Sequence, residues 1–258
     1  MAVRKTAPEV RRARQGDVAE SRTAARRLRG MYQRLVQRFG PQQWWPAKTA
    51  FEVVVGAYLT QNTAWKSVER SIANLEAHGI LSIPGLREVS EVELRGLIRP
   101  SGFMLRKAAA LQAFVAFLDV HYGGRIESLR DAALASPPAV REHLLALPGV
   151  GPETADAILL YALDAPAMVV DEYLRRIMIR HGMAPEKAKY AEIQALAEQA
   201  FAPERALENR EDLAGHYNEF HALVVQIGKS HCRRVALCEG CPLQFDLKKA
   251  GTSAETSA

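Results

Sequence analysis

The chain has 258 residues, 48% of them hydrophobic and 24% charged, with a net charge of +5. That length and balance suit one large or two small domains with a real core and exclude a disordered chain. No run approaches the ~20 apolar residues of a membrane span, the N-terminus lacks the apolar stretch of a secretory signal, and three cysteines crowded near the C-terminus do not make a disulfide framework. A cytoplasmic location is expected.

The charge is local. Residues 1–30 carry nine Lys/Arg against Glu9, Asp17 and Glu20, which leaves the remainder near −1. Residues 1–21 read as a disordered basic arm, able to attract phosphate or simply solvated. A helix is expected over about 22–46. In "FEVVVGAYLT", Phe51, Val54, Val55, Tyr58 and Leu59 share one helical face. Helices are also expected over 65–78, 90–98, 104–122, 138–146, 152–163, 172–181, 187–201 and 213–228. Gly- and Pro-containing breaks such as "RPSG", "LPGVG" and "DAP" separate them. No strand pattern appears, so the fold class is all-α. The last residues, 248–258, read as a disordered tail.

The stretch "LPGVGPETADAILLYA" carries its own physics. Gly149 and Gly151 permit a tight turn and close approach of a partner. Pro152 suits the first helical turn. Ala155, Ile158, Leu159 and Ala162 then repeat with helical period. The result is a helix, a glycine turn and a helix, with backbone N–H groups and a helix dipole facing a candidate DNA phosphate. Asp171 follows an apolar run and precedes Glu172, with Leu174, Ile177, Met178 and His181 at helical spacing. It therefore reads as an N-cap. An immobile carboxylate held by a cap also suits catalysis.

These residues resemble the helix-hairpin-helix DNA-binding motif and following aspartate of the endonuclease III superfamily of DNA glycosylases, over roughly residues 30–245. The resemblance implies a two-lobed fold: a helical barrel lobe over about 47–160 and a second lobe from 22–46 with 161–247. A cleft between them would take a base flipped out of the duplex. It implies Asp171 as the catalytic carboxylate and Leu147, Gly149, Val150, Gly151 and Thr154 as the DNA-gripping hairpin. It places a DNA-probing glutamine at Gln61 in "LTQNT" and a duplex wedge at Phe103 or Met104 in "RPSGFMLRKA". Bifunctional members carry a strand-nicking lysine where this chain has Glu153, and a carboxylate cannot form a Schiff base. A monofunctional glycosylase is therefore expected.

"QWWPAKTAFEVVVGAYLTQNTAW" holds all three tryptophans. It resembles the 3-methyladenine DNA glycosylase III branch, in which the residues matching Trp45, Pro46, Trp65 and Lys229 line the base pocket. An aromatic slot favours a cationic alkylated purine through stacking and cation–π attraction. Three alternatives stand beside this reading. The tryptophans could be core, the enzyme could be an endonuclease III-type lyase on oxidised pyrimidines, or the hairpin could belong to a non-catalytic DNA binder.

Near the C-terminus, Cys232, Cys238 and Cys241 have C-x5-C-x2-C spacing. The family's four-cysteine pattern binds a 4Fe-4S cluster, but here the first gap is one short and the fourth position is Leu247. His231 with the three cysteines offers a Cys3His set. A loop without metal, an iron–sulfur cluster with an unusual ligand and zinc all remain open. His216 and His221 read as packed or capping residues, and Asp156 as a surface residue. The expected partner is double-stranded DNA with a damaged base, bound by a monomer without a membrane.

Overall fold

The computed structural model describes residues 7–42, 44, 45, 47–202 and 210–250; side chains are described within these except at 7–18, 210–211 and 248–250. Among these residues there are helices and loops and no strand. Among the described residues no helix is long and apolar enough to cross a membrane. The chain divides into two compact units. One comprises Met1–Gln42, Val170–Asn209 and Glu219–Ala258; the other comprises Gln43–Val169 and Arg210–Asn218.

In the first unit, α1 spans Ala7–Phe39. The basic arm was expected to be disordered to about residue 21, but the helix begins at Ala7. Pro8 is tolerated in a first turn, and the Ala-, Arg- and Glu-rich sequence that follows propagates helix well. Further along, Ala24, Ala25, Leu28, Met31 and Leu35 form its buried stripe. α1 packs on α11, Tyr190–Ala200. The rings of Tyr32, Phe201 and Phe220 meet at 5.2–5.9 Å between centroids. α10 spans Glu172–Arg180, α12 Arg210–Ser230 and α13 Gln244–Ala250.

A buried polar lock ties three of these helices. Asp246 of α13 accepts Arg27 Nε at 2.9 Å and Arg27 Nη2 at 2.5 Å, and its Oδ2 lies 2.9 Å from His181 Nδ1. Arg27 also donates to the His181 carbonyl at 2.6 Å. Thus α1, the end of α10 and α13 are fixed by one carboxylate.

The second unit is built around α2, Ala50–Leu59. A single apolar face was expected, yet every residue from Phe51 to Leu59 is buried, Glu52 included. A helix buried all round belongs in a core rather than on a surface. Glu52 is satisfied because it accepts from Lys48 N at 2.9 Å, while its own N–H donates to Thr49 Oγ1 at 3.1 Å. Around α2 lie α3 (Trp65–Ala77), α4 (Ile83–Glu88), α5 (Glu91–Leu97), α6 (Met104–Tyr122), α7 (Ile126–Ala135) and α8 (Pro137–Leu145). α4 and α7 escaped the sequence reading because each is short and flanked by breakers. α9, Pro152–Ala157, runs into a π-helical turn, Ile158–Ala162, that packs against α2. Residues to Val169 and the start of α12 thus group with the hairpin, whereas the boundary was expected near residue 160.

The buried lock makes stability pH-dependent. Burial alone would raise the Asp246 carboxyl, but Arg27 and His181 hold it below its ordinary 3.8. Burial lowers His181 from its ordinary 6.5. Both groups bind protons more readily in the unfolded chain. Their stabilisation is therefore complete above pH 6.5, declines as pH falls through the folded value of His181, and declines again below pH 3.8. Thermal unfolding followed by circular dichroism should show a melting temperature that falls below pH 6.5. In His181→Asn the upper part of that decline should be shallower.

Candidate active site

The hairpin is assembled as its sequence predicts. α8 ends at Leu145, and Val150 N closes the turn onto Leu147 O at 3.2 Å. Gly149 adopts φ +78, a left-handed conformation that a side chain rarely takes. Gly151, in extended backbone, caps α9. Gly149, Gly151 and Glu153 are exposed, Leu147 is half-buried, and Val150 is turned into the core. Asp156 corrects the expectation of a surface residue. It is fully buried and gripped in two places by Arg141, Nε to Oδ1 at 2.6 Å and Nη2 to Oδ2 at 3.0 Å. This pair joins α8 to α9 behind the glycine turn. Its sequence spacing gave no sign of it, because the two residues belong to different helices.

Gln61 reaches the hairpin directly. Its amide donates to Gly149 O at 2.8 Å and Thr154 Oγ1 at 2.9 Å, which leaves its carbonyl oxygen as an acceptor. Thr154 is buried beneath this contact. Its hydroxyl therefore supports the glutamine instead of presenting itself outward, as had been expected. Beside Gln61, Phe103 is 60% exposed and holds a left-handed φ of +48 at the start of α6. A bulky residue in that region is strained, and surrounding structure must hold it there. Of the two wedge candidates, Phe103 is the outward one; Met104 is half-buried.

Trp45, Trp65 and Tyr161 form one aromatic wall. Trp45 meets Trp65 with centroids 5.3 Å apart at 81° and Tyr161 at 5.2 Å. The Trp45 ring lies against Gly56 of α2. The two indoles touch edge to face, so they do not bound a slot for a base between them. They offer a half-buried aromatic surface instead. Tyr161 was not picked out from sequence as part of this group. It arrives through the π-helical turn, which shifts its register relative to a regular helix. Pro46 lies outside the described residues.

Asp171 caps α10 as predicted. Its Oδ1 accepts Leu174 N at 2.7 Å. Its Oδ2 lies 3.5 Å from Nε2 of His221, and both residues are buried. His221 had been read as a packed or capping residue. It is the neighbour that faces the free oxygen of the carboxylate, and no local signal in α12 could have announced it. α10 and α12 approach closely at Gly228. A Cβ there would sit 2.2 Å from the Tyr173 ring, so only glycine fits. Lys229 follows it, exposed, in the last turn of α12. Asp171, His221 and Lys229 belong to one compact unit; the hairpin, Gln61, Phe103 and the aromatic wall belong to the other.

The cysteine loop is held by arginines from α10. Arg176 donates to Cys232 O at 2.8 Å. Arg180 donates to Cys232 Sγ at 3.2 Å and to the carbonyls of Arg233 and Arg234, each at 2.7 Å. Cys232 is buried, Cys238 exposed and Cys241 half-buried. Burial raises the Cys241 thiol. His231 Nδ1 lies 2.9 Å from Ser230 Oγ. Among the described residues no three His, Cys, Asp or Glu side chains converge as metal ligands. Leu247, at the family's fourth ligand position, lines the same small hollow as the three thiols. Leu247 offers no fourth thiolate for a cysteine-bound cluster, and His231 lines the hollow with the three thiols.

Comparison with known proteins agrees with this geometry. Residues 55–203 match the family model of the HhH-GPD superfamily base excision DNA repair protein. A Methanocaldococcus jannaschii protein, named for a proposed role as a DNA repair glycosylase, is 43% identical over 85% of this chain and 95% of its own. Endonuclease III of Thermotoga maritima is 29% identical over 75% of this chain and 80% of its own. Among solved structures, the H. pylori 3-methyladenine DNA glycosylase bound to 1,N6-ethenoadenine superposes with a TM-score of 0.68 at 29% identity. That match covers 80% of this chain and 97% of the other. An endonuclease III–DNA complex gives a TM-score of 0.68 at 22% identity, covering 88% and 97%, and supports the fold. The chain belongs to the HhH-GPD superfamily and is a DNA glycosylase of base excision repair.

Proposed function

We propose that this glycosylase removes alkylated purines such as 3-methyladenine from double-stranded DNA by hydrolysis and leaves the strand intact. The observation that carries the substrate reading is the wall of Trp45, Trp65 and Tyr161. An alkylated purine carries positive charge, and each aromatic face attracts it by about 0.5–2 kcal/mol. Such a base is also a ready leaving group, so the enzyme needs little acid catalysis. The similarity to the H. pylori 3-methyladenine glycosylase supports the same choice.

Asp171 supplies the chemistry. Its carboxylate, fixed by the Leu174 N–H, stabilises the oxocarbenium-like sugar and orients or deprotonates a water. His221 faces the second oxygen and limits its motion. The hairpin grips a backbone phosphate, Gln61 enters the gap left by the flipped base, and Phe103 wedges the duplex. Glu153 stands exposed in the first turn of α9, where a nicking enzyme carries its lysine. Its negative charge is compatible with the helix dipole but gives no amine for a Schiff base. The cysteine loop is proposed to hold its shape through Arg176 and Arg180, without metal.

Three experiments test these assignments. On duplexes with single defined lesions, wild type should release 3-methyladenine, Trp45→Ala should lose most of that release, and Asp171→Asn should bind DNA while base release falls by about 10²-fold or more. Efficient excision of thymine glycol in preference to 3-methyladenine overturns the substrate reading. Strand breaks should appear only after alkali, and borohydride should trap no covalent adduct on abasic DNA. Metal analysis of anaerobically purified protein should find neither iron nor zinc in stoichiometric amount; one cluster or one zinc per chain refutes the arginine-held loop.

A further inference from the structure

Lys107 stands in the first turn of α6, next to the strained Phe103, and is 4% exposed. Its ammonium makes three hydrogen bonds to three different stretches of chain. They run to Leu59 O at the end of α2 (2.8 Å), to Thr63 Oγ1 in the Gln61 loop (2.8 Å), and to Ser101 O in the turn before Phe103 (2.9 Å). An ammonium has three donors, and all are engaged. Thr63 Oγ1 also lies 2.7 Å from Ser101 O, so the two loops are joined twice. Lys107 Nζ lies 5.8 Å from the centre of the Phe103 ring, within cation–π range. Two non-glycine residues in these loops hold left-handed backbone, Asn62 at φ +51 and Phe103 at φ +48. Such strained residues persist only where neighbours over-determine them.

We propose that Lys107 is a positioning residue that locks the Gln61 loop and the Phe103 turn into one rigid probe, so that both side chains address the duplex together. This rests on the reading of Gln61 and Phe103 as DNA-probing groups. No neutral side chain supplies three divergent donors from one atom. Glutamine offers two on one side, and methionine offers none, so Leu59 O and Thr63 Oγ1 lose this donor and Ser101 O keeps only that of Thr63.

The lock is also proton-dependent. Burial lowers Lys107 to about 8. Once the proton is lost the amine keeps two N–H groups, so one of the three acceptors loses its donor and the cation–π contact disappears. Gln61, Asn62, Phe103, Arg106, Tyr58, Ala110 and Gly149 share the hollow with Lys107. Of the residues lining it, Arg106 and Tyr58 are the other titratable ones. Burial raises Tyr58, away from the range in which Lys107 changes charge.

The test compares binding to a duplex containing a tetrahydrofuran abasic analogue with binding to the same duplex undamaged, from pH 6.5 to 9.5. The variants are Lys107→Met, Lys107→Gln, Lys107→Arg, Gln61→Ala and Phe103→Ala. Displacing a positioned group by an ångström typically costs up to about 100-fold. Lys107→Met and Lys107→Gln should therefore lose roughly 10- to 100-fold of the preference for the abasic duplex, while affinity for undamaged DNA, governed by the hairpin, changes by less than about threefold. In wild type the preference should fall as pH rises through about 8, and that step should be absent in Lys107→Gln. Lys107→Arg, which keeps the charge, should remove the step and retain part of the preference. A folded Lys107→Gln with wild-type preference and the same alkaline step overturns the proposal. If the neutral variants do not fold, the wild-type pH profile decides, and a preference flat from pH 7 to 9.5 refutes it. If Gln61→Ala and Phe103→Ala both keep full preference, the probe reading itself fails and takes the lock with it. If they lose preference and the Lys107 variants do not, only the lock fails.

Discussion

A carboxylate that must stabilise a cationic sugar has to be ionised, shielded from water and immobile at once. Burial alone would neutralise it, and exposure would let it rotate. The cap of α10 reconciles these demands, because a peptide N–H at a helix start can satisfy a buried carboxylate oxygen without cancelling its charge. Leu174 N supplies that bond to Asp171, and His221 faces the other oxygen. Everything that fixes α10 therefore fixes the carboxylate proposed to carry the chemistry. The ring of Tyr173 seats α10 against the bare backbone of Gly228, and the Arg27–Asp246–His181 lock anchors its far end. The arginines of α10 that reach the cysteine loop bind the helix to the C-terminal segment as well.

The second unit solves a different problem. Its outward groups are short loops, and loops alone do not hold side chains to the tolerance that DNA distortion requires. Each is therefore tied back by a buried polar contact. Arg141 and Asp156 close the two hairpin helices on each other. Gln61 is bonded to the hairpin itself, and Lys107 gathers the loops that carry Gln61 and Phe103. Two of these ties, Gln61 to Gly149 and Lys107 to Leu59, join residues far apart in the chain. The cost of burying their charges is offset by complete hydrogen bonding.

On the proposed reading, the cysteine loop and Glu153 are the two places where this fold carries a chemistry different from the family pattern. A family pattern built around metal and a nucleophilic lysine is met here by side chains that supply neither ligand geometry nor amine. Arginine-to-carbonyl bonds do the work of shape in the loop. At residue 153 the helix start tolerates an acid as readily as any other first-turn residue. Helix packing, rather than a reactive group, maintains the scaffold at both places.

Much of this was legible in the chain itself. Helical periodicity, the glycine turn and the capping aspartate are local properties, set by backbone sterics and by the first unpaired N–H groups of a helix, so the sequence determined the all-α class, the hairpin and the place of Asp171. The resemblance in order and spacing then pointed to Gln61, Phe103 and the tryptophans. What it could not determine were contacts made across the chain. Asp156 looked like a surface acid until Arg141 met it inside the fold, and His221 looked like packing until it faced Asp171. The helix at Ala7–Phe39 began well before the expected boundary, because local propensity outweighed the charge that suggested disorder. The aromatic slot became a wall, since only tertiary packing decides whether two rings stand apart or touch. Burial, ring orientation and the pairing of distant charges depend on which helices become neighbours, and that is decided by the whole core at once.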